Sequence, residues 1–162
     1  MSLQQEMHLK RPFEPLLREA FMNVWRTQEL YGLQASRQLR PLGITSAQHA
    51  ILYILCDEGA PLPILEIANR MVSLVSGITG LVDRMEKEGL VARERCAEDR
   101  RVIYVTLTKK GQTILSTATK LLGALREKYF GHLTKAELKE LIRILEKARE
   151  RLLVEQNQQE DG

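Results

Sequence analysis

After Gly89 the spacing of apolar residues changes from helical threes and fours to strict alternation, and no other feature constrains the fold so tightly. In "RVIYVTLT", Ile103, Val105 and Leu107 alternate with Val102, Tyr104 and Thr106, the pattern of a half-buried strand. "LVARER" can pair with it antiparallel, which leaves "CAEDR" as the connecting turn. Elsewhere the periodicity is helical, so this hairpin is the only β element the pattern predicts. It is entered directly from a helix. The fold class predicted is mainly α with one small β-hairpin.

The helix leading into the hairpin is "SGITGLVDRMEKEGL", with Ser73 as its cap and Gly89 as its stop. On a helical wheel Leu74, Ile78, Leu81, Val82 and Met85 gather on one side. Ser76, Gly77, Thr79, Gly80, Asp83, Arg84 and Lys87 gather on the other. Two glycines inside a helix cost about 1 kcal/mol each relative to alanine. Burial of the apolar side offsets that cost, and glycines on the polar face let a partner approach the backbone closely.

Upstream, Thr45 and Gln48 stand at capping-box spacing ahead of a helix whose buried stripe is Ala47, Ile51, Ile54 and Leu55, ended by Gly59. Cys56, near the end of that helix, is expected to be an inert buried thiol. Ile64, Ile67, Ala68 and Met71 then give a short one-faced helix. Long helices flank this centre. Pro12 and Pro15 open the first, which carries Phe13, Leu17, Ala20, Phe21 and Val24 at helical spacing and runs to about Leu39, where "RPLG" breaks it. Downstream, Thr108 caps a helix with Ile114, Ala118, Leu121, Leu122 and Leu125, ending at Gly131. Thr134 and Glu137 form a second capping box before Leu138, Leu141, Leu145, Ala148 and Leu152.

Two short helices, a turn, a third helix and a hairpin make a winged helix-turn-helix, in which the third helix enters the DNA major groove and the hairpin follows the backbone or minor groove. The domains expected are a DNA-binding lobe over 45–111 and a helical dimerisation region over 1–44 and 112–162. Arg93, Arg95, Arg100 and Arg101 lie within nine residues of the wing, and guanidinium groups suit phosphates and narrow minor grooves. Glu94, Glu98 and Asp99 nearly balance them, so architecture rather than charge favours DNA. A formal net charge of +3 over 162 residues permits nucleic-acid binding without demanding it.

Composition narrows the other classes. Two cysteines, Cys56 and Cys96, do not build a disulfide framework and fit a reducing cytoplasm. No apolar run reaches membrane-spanning length, and no membrane partner is expected. His8, His49 and His132 lack metal-ligand spacing, and neither a phosphate loop nor a nucleophile motif occurs, so no enzyme, metal or cofactor is expected.

"GITGLVDRMEKEGLVARERCAEDRRVIYVTLTKKG" resembles the signature of the MarR family of multiple-antibiotic-resistance regulators. The matching elements are "LVDRMEKEGLV.R", the pair Asp99 and Arg101, and Leu107, Thr108 and Gly111 as "LT..G". "ITSAQHAILYIL" and "ILEIANRM" resemble the family's preceding helices in order and spacing. The resemblance implies a homodimeric DNA-binding repressor or activator built on the terminal helices, usually released by a small phenolic or other amphipathic ligand or by oxidation. Two recognition helices about 34 Å apart imply a near-palindromic operator in double-stranded DNA.

Carried over by position, Ser76, Gly77, Thr79 and Arg84 face the groove or its phosphates, Asp99 and Arg101 pair to shape the wing, and Arg100 is the minor-groove candidate. Asp83 reads better as a local ion-paired surface residue. The sequence departs from the family where Gly80 replaces an arginine common directly after the threonine. The resemblance places effectors between dimer helices and DNA-binding lobe, which makes Trp25, Tyr31, His49 and Tyr53 the ligand-binding candidates. Two alternatives stay open: a redox-responsive regulator using Cys96 on the wing, and a winged-helix protein-interaction module that does not bind DNA.

Overall fold

The computed structural model describes residues 2–11, 13–72, 77–95 and 102–160, the side chains of 153–160 excepted. The chain divides into two compact units, Met1–Leu122 and Gly123–Gly162.

The first unit opens with a single-turn helix, α1 (Leu3–Glu6), held by a capping box between Ser2 and Gln5. Helix α2 (Leu16–Leu39) follows, with Pro15 at its N-cap, where no backbone N–H is needed. A short 3-10 turn over Arg40–Leu42 and a left-handed Gly43 end it at the expected "RPLG". Only Ala35 and Leu39 of α2 are buried. The apolar stripe expected at its N-terminal end is largely exposed, with Leu17 at 78% and Phe21 at 61%. Arg26 pairs with Glu6 and so ties α1 to α2.

Helix α3 (Ser46–Glu58) starts on the predicted capping box. Thr45 N–H donates to Gln48 Oε1 over 2.8 Å, and Gln48 N–H to Thr45 Oγ1 over 3.2 Å. Ile51, Leu52 and Leu55 form its buried stripe. Leu52 takes the place expected of Ile54, which is only half-buried. Cys56 is exposed, which corrects the expectation of a buried thiol: it falls one position beyond the core-facing stripe.

A strand that periodicity did not predict, β1 (Leu62–Pro63), precedes helix α4 (Ile64–Arg70). It pairs antiparallel with β3 (Ile103–Leu107), Leu62 opposite Val105. Two residues are too few for an alternation to register. Strand β2 (Val91–Arg95) pairs on the other side of β3, Val91 opposite Leu107 and Arg95 opposite Ile103, so the predicted hairpin is part of a three-stranded sheet ordered β1-β3-β2. Ile51, Leu52, Ile67, Val82, Met85 and Val105 are fully buried and form the centre of this core.

Helix α5 (Ile78–Lys87) buries Leu81, Val82 and Met85, as the wheel predicts. Gly77 is not inside it. It is the N-cap residue, at φ 75° and ψ 39°, a left-handed conformation that an L side chain resists. The glycine at this position therefore answers a backbone requirement. Gly80 lies inside α5, and a Cβ there meets nothing within 4 Å. The proposed Ser73 cap falls outside the described residues.

Helix α6 (Lys109–Phe130) begins at Thr108, whose Oγ1 accepts from Gly111 N–H over 3.0 Å. Leu115, Ala118 and Leu122 are buried, Leu115 replacing the expected Ile114. In the second unit, helix α7 (Lys135–Glu160) starts on the predicted capping box, with Thr134 N–H donating to Glu137 Oε2 over 2.8 Å and Glu137 N–H to Thr134 Oγ1 over 3.3 Å. Leu141, Ile142, Ile144 and Leu152 of α7 are exposed.

Candidate nucleic-acid interface

The apolar face of α5 is committed to the core, so the outward face is determined by elimination. It presents Thr79, Gly80, Arg84 and Lys87, all exposed. Strand β2, at the sheet's edge, lies alongside and carries exposed Glu94 and Arg95. Arg84, Lys87 and Arg95 make no ion pair with another described residue.

Arg93 is placed differently from Arg95. Its Nε donates to Glu86 Oε2 over 2.7 Å, and its Nη1 donates to Asp83 Oδ1. Its backbone N–H also donates to Glu86 Oε1 over 3.2 Å. Asp83 is thus ion-paired, as the sequence reading favoured. The hydrogen bond from Arg93 is the main cause holding the Glu86 carboxyl below its ordinary range, and Glu86 in turn raises Arg93.

The C-terminus of α5 is fastened to two other helix starts. Glu88, its C-cap, accepts from Gln48 Nε2 over 2.9 Å through its side chain and from Lys110 Nζ over 2.6 Å through its carbonyl. The Thr108 hydroxyl lies 2.8 Å from Gly89 O and 2.9 Å from Leu90 O, either of which can take its single proton. Gly111 packs so closely on Leu90 that a Cβ there would overlap the Leu90 carbonyl oxygen. The "LT..G" pattern is therefore a physical joint. The threonine holds two chain segments, and the glycine permits their contact.

These α3–α5–α6 contacts build a turn, an outward-facing helix and an edge strand in the order of a winged helix-turn-helix. The MarR family model matches residues 44–103. The homoprotocatechuate degradative operon repressor of Escherichia coli is 30% identical over 103 residues, covering 64% of this chain and 69% of that protein. The chain belongs to the MarR family. The HTH-type transcriptional repressor MdtR of Bacillus subtilis is 35% identical over 96 residues, 59% of this chain and 61% of MdtR, so the match spans about three fifths of that relative. Among solved structures, a mutant MarR from E. coli complexed with operator DNA superposes with a TM-score of 0.69 at 26% identity, covering 91% of this chain and 99% of that one. These MarR-family relatives are regulators and not enzymes.

Of the residues singled out in the sequence, the structure brings Thr79 and Arg84 together on one face of α5, with Gly77 at its start and Arg95 on the adjoining strand. Ser76, Cys96, Asp99, Arg100 and Arg101 lie outside the described residues. The ligand candidates are dispersed: Trp25 is exposed on α2, Tyr31 and His49 are half-buried, and Tyr53 lines a surface groove with Cys56, Leu115 and Thr119. Lys87, on the polar face but not chosen from sequence, joins the candidates. No group of three or more potential metal ligands occurs among the described residues, and no helix among them is long and apolar enough to cross a membrane.

Proposed function

We propose that the protein is a sequence-specific, double-stranded-DNA-binding transcriptional repressor that acts as a homodimer in the cytoplasm. The observation that carries this reading is the outward face of α5, which presents Thr79, Arg84 and Lys87 beside Arg95 of β2, with no carboxylate among the described residues engaging those cations. A helix set this way offers short polar and cationic side chains to base edges and phosphates. Ser76, Gly77 and Arg100 complete the proposed contact set, and Asp99 with Arg101 the proposed wing brace.

The homodimer is supported by apolar side chains that the single chain leaves in water. Leu16, Leu17, Phe21, Val24 and Trp25 on α2, and Leu141, Ile142, Ile144 and Leu152 on α7, are all exposed. Apolar patches of this kind mark association surfaces. The terminal helices are accordingly the dimerisation region and 45–111 the DNA-binding lobe. A small amphipathic or phenolic effector is proposed to control release, with Tyr53 the candidate best placed in a groove.

Selection of binding sites from genomic DNA with the purified protein tests this reading. The expected product is a near-palindromic site bound by two chains, with affinity falling steeply as salt rises. Binding that is indifferent to sequence and salt contradicts it.

A further inference from the structure

Arg93 is the best-held cation near the proposed interface, and the groups that hold it belong to the recognition helix. Asp83 and Glu86 stand one turn apart on α5 and take the guanidinium between them, Glu86 Oε2 lying 2.6 Å from Nη2 and 2.7 Å from Nε. Glu86 also accepts the outward N–H of Arg93, which β2, as an edge strand, offers to no other strand. One carboxylate thus grips both the side chain and the main chain of the same wing residue. With two carboxylates around one guanidinium, the local charge is negative, and a phosphate gains nothing there until those pairs are broken. A fork already used on two protein acids is a poor phosphate ligand and a good strut.

We propose that Arg93 is a positioning residue: through Asp83 and Glu86 it fixes the angle between recognition helix α5 and wing strand β2, and it does not contact DNA. This rests on the DNA-binding reading above. DNA contact then falls to the cations that no described carboxylate engages, Arg84 and Lys87 on α5 and Arg95 on β2. Setting two DNA-contacting elements before binding removes the ordering cost that a loose wing would incur on the duplex.

The test is equilibrium binding to the selected operator across a salt series for the full chain and for Glu86→Gln, Asp83→Asn, Arg93→Lys and Arg84→Ala, each with its melting temperature. Removing a carboxylate near DNA should raise affinity on charge grounds alone. Positioning predicts the opposite: Glu86→Gln and Asp83→Asn weaken operator binding, roughly tenfold for coupled neighbours, with the salt slope unchanged. Arg93→Lys fails in the same way, since an ammonium cannot bridge both acids, whereas a phosphate contact would survive it. Arg84→Ala lowers the slope by about 0.9, as loss of one phosphate contact requires.

Tighter operator binding by Glu86→Gln or Asp83→Asn, or unchanged affinity in Arg93→Lys, overturns the proposal. A fall in melting temperature with operator affinity intact also overturns it, because Arg93 is then merely structural. Asp83→Asn, isosteric and at the most exposed of the three clustered positions Asp83, Glu86 and Arg93, keeps the comparison available should Glu86→Gln not fold. Failure of the unmodified chain to bind any selected duplex is a separate result that refutes the DNA-binding reading itself.

Discussion

Gln48, in the first turn of α3, donates its Nε2 proton to Glu88 Oε2 at the far end of the recognition helix, 2.9 Å away. The same side chain closes the capping box with Thr45, so one buried amide holds its own helix start and the end of another. Replacing it with glutamate keeps the capping acceptor and sets carboxylate against carboxylate. Gln48→Glu is expected to cost about 1–3 kcal/mol, and Glu88→Gln in the same chain to restore much of that. A double-mutant cycle in urea denaturation measures the coupling.

At Gly111 the obstacle to a side chain is backbone, the Leu90 carbonyl oxygen, which no rotamer change can relieve. Gly111→Ala is expected to destabilise by at least about 2 kcal/mol and to weaken operator binding further, because the displaced segment leads directly from α5 into β2. Thermal denaturation with operator titration separates the two effects.

The two glycines near the start of α5 predict opposite outcomes. Gly80 is helix-interior with open space around it, so Gly80→Ala should stabilise by about 1 kcal/mol. Gly80→Arg should raise DNA affinity by restoring the arginine common in the family. Gly77 has φ 75°, so Gly77→Ala should cost about 1–2 kcal/mol despite the open space. Melting temperatures of the alanine pair, and the operator affinity of Gly80→Arg, decide these points.

Three acids, half-buried Glu86 and exposed Glu137 and Glu140, contribute to the acid limb of stability. Glu86 is lowered chiefly by the hydrogen bond from Arg93, Glu137 by the backbone N–H of Thr134, and Glu140 by Arg143, each from an ordinary 4.5. Each binds its proton more weakly in the folded than in the unfolded chain. Their contribution is therefore complete above the ordinary value and is lost as pH falls through the lowered ones. A pH series of melting temperatures should be flat in this respect at neutral pH and decline below 4.5, with a shallower decline in Glu137→Gln.

The helices and the hairpin were legible because their signals are local. The capping boxes at Thr45 and Thr134, the wheel of α5 and the alternation in β3 each depend on neighbours a few residues apart. The rest depends on tertiary partners or on a single-residue offset that a local pattern does not resolve. Strand β1 is two residues long and exists because β3 lies beside it. The binding of Arg93 to Asp83 and Glu86 depends on how α5 meets β2, which composition shows only as a balanced wing. Gly77 departs from the helix-interior expectation because a glycine at a left-handed N-cap and one inside a helix look alike in a sequence. The exposure of Cys56 turned on a single position relative to the buried stripe.

The central claim, that the outward face of α5 reads DNA, is tested most directly by fluorescence anisotropy on the selected palindromic duplex and on a scrambled duplex of equal length, across a salt series. The account predicts that the palindrome is bound at least about a thousandfold more tightly, with log affinity falling linearly in log salt, and that Arg84→Ala lowers that slope by about 0.9. Equal affinity for the two duplexes, or a slope unchanged in Arg84→Ala, contradicts it.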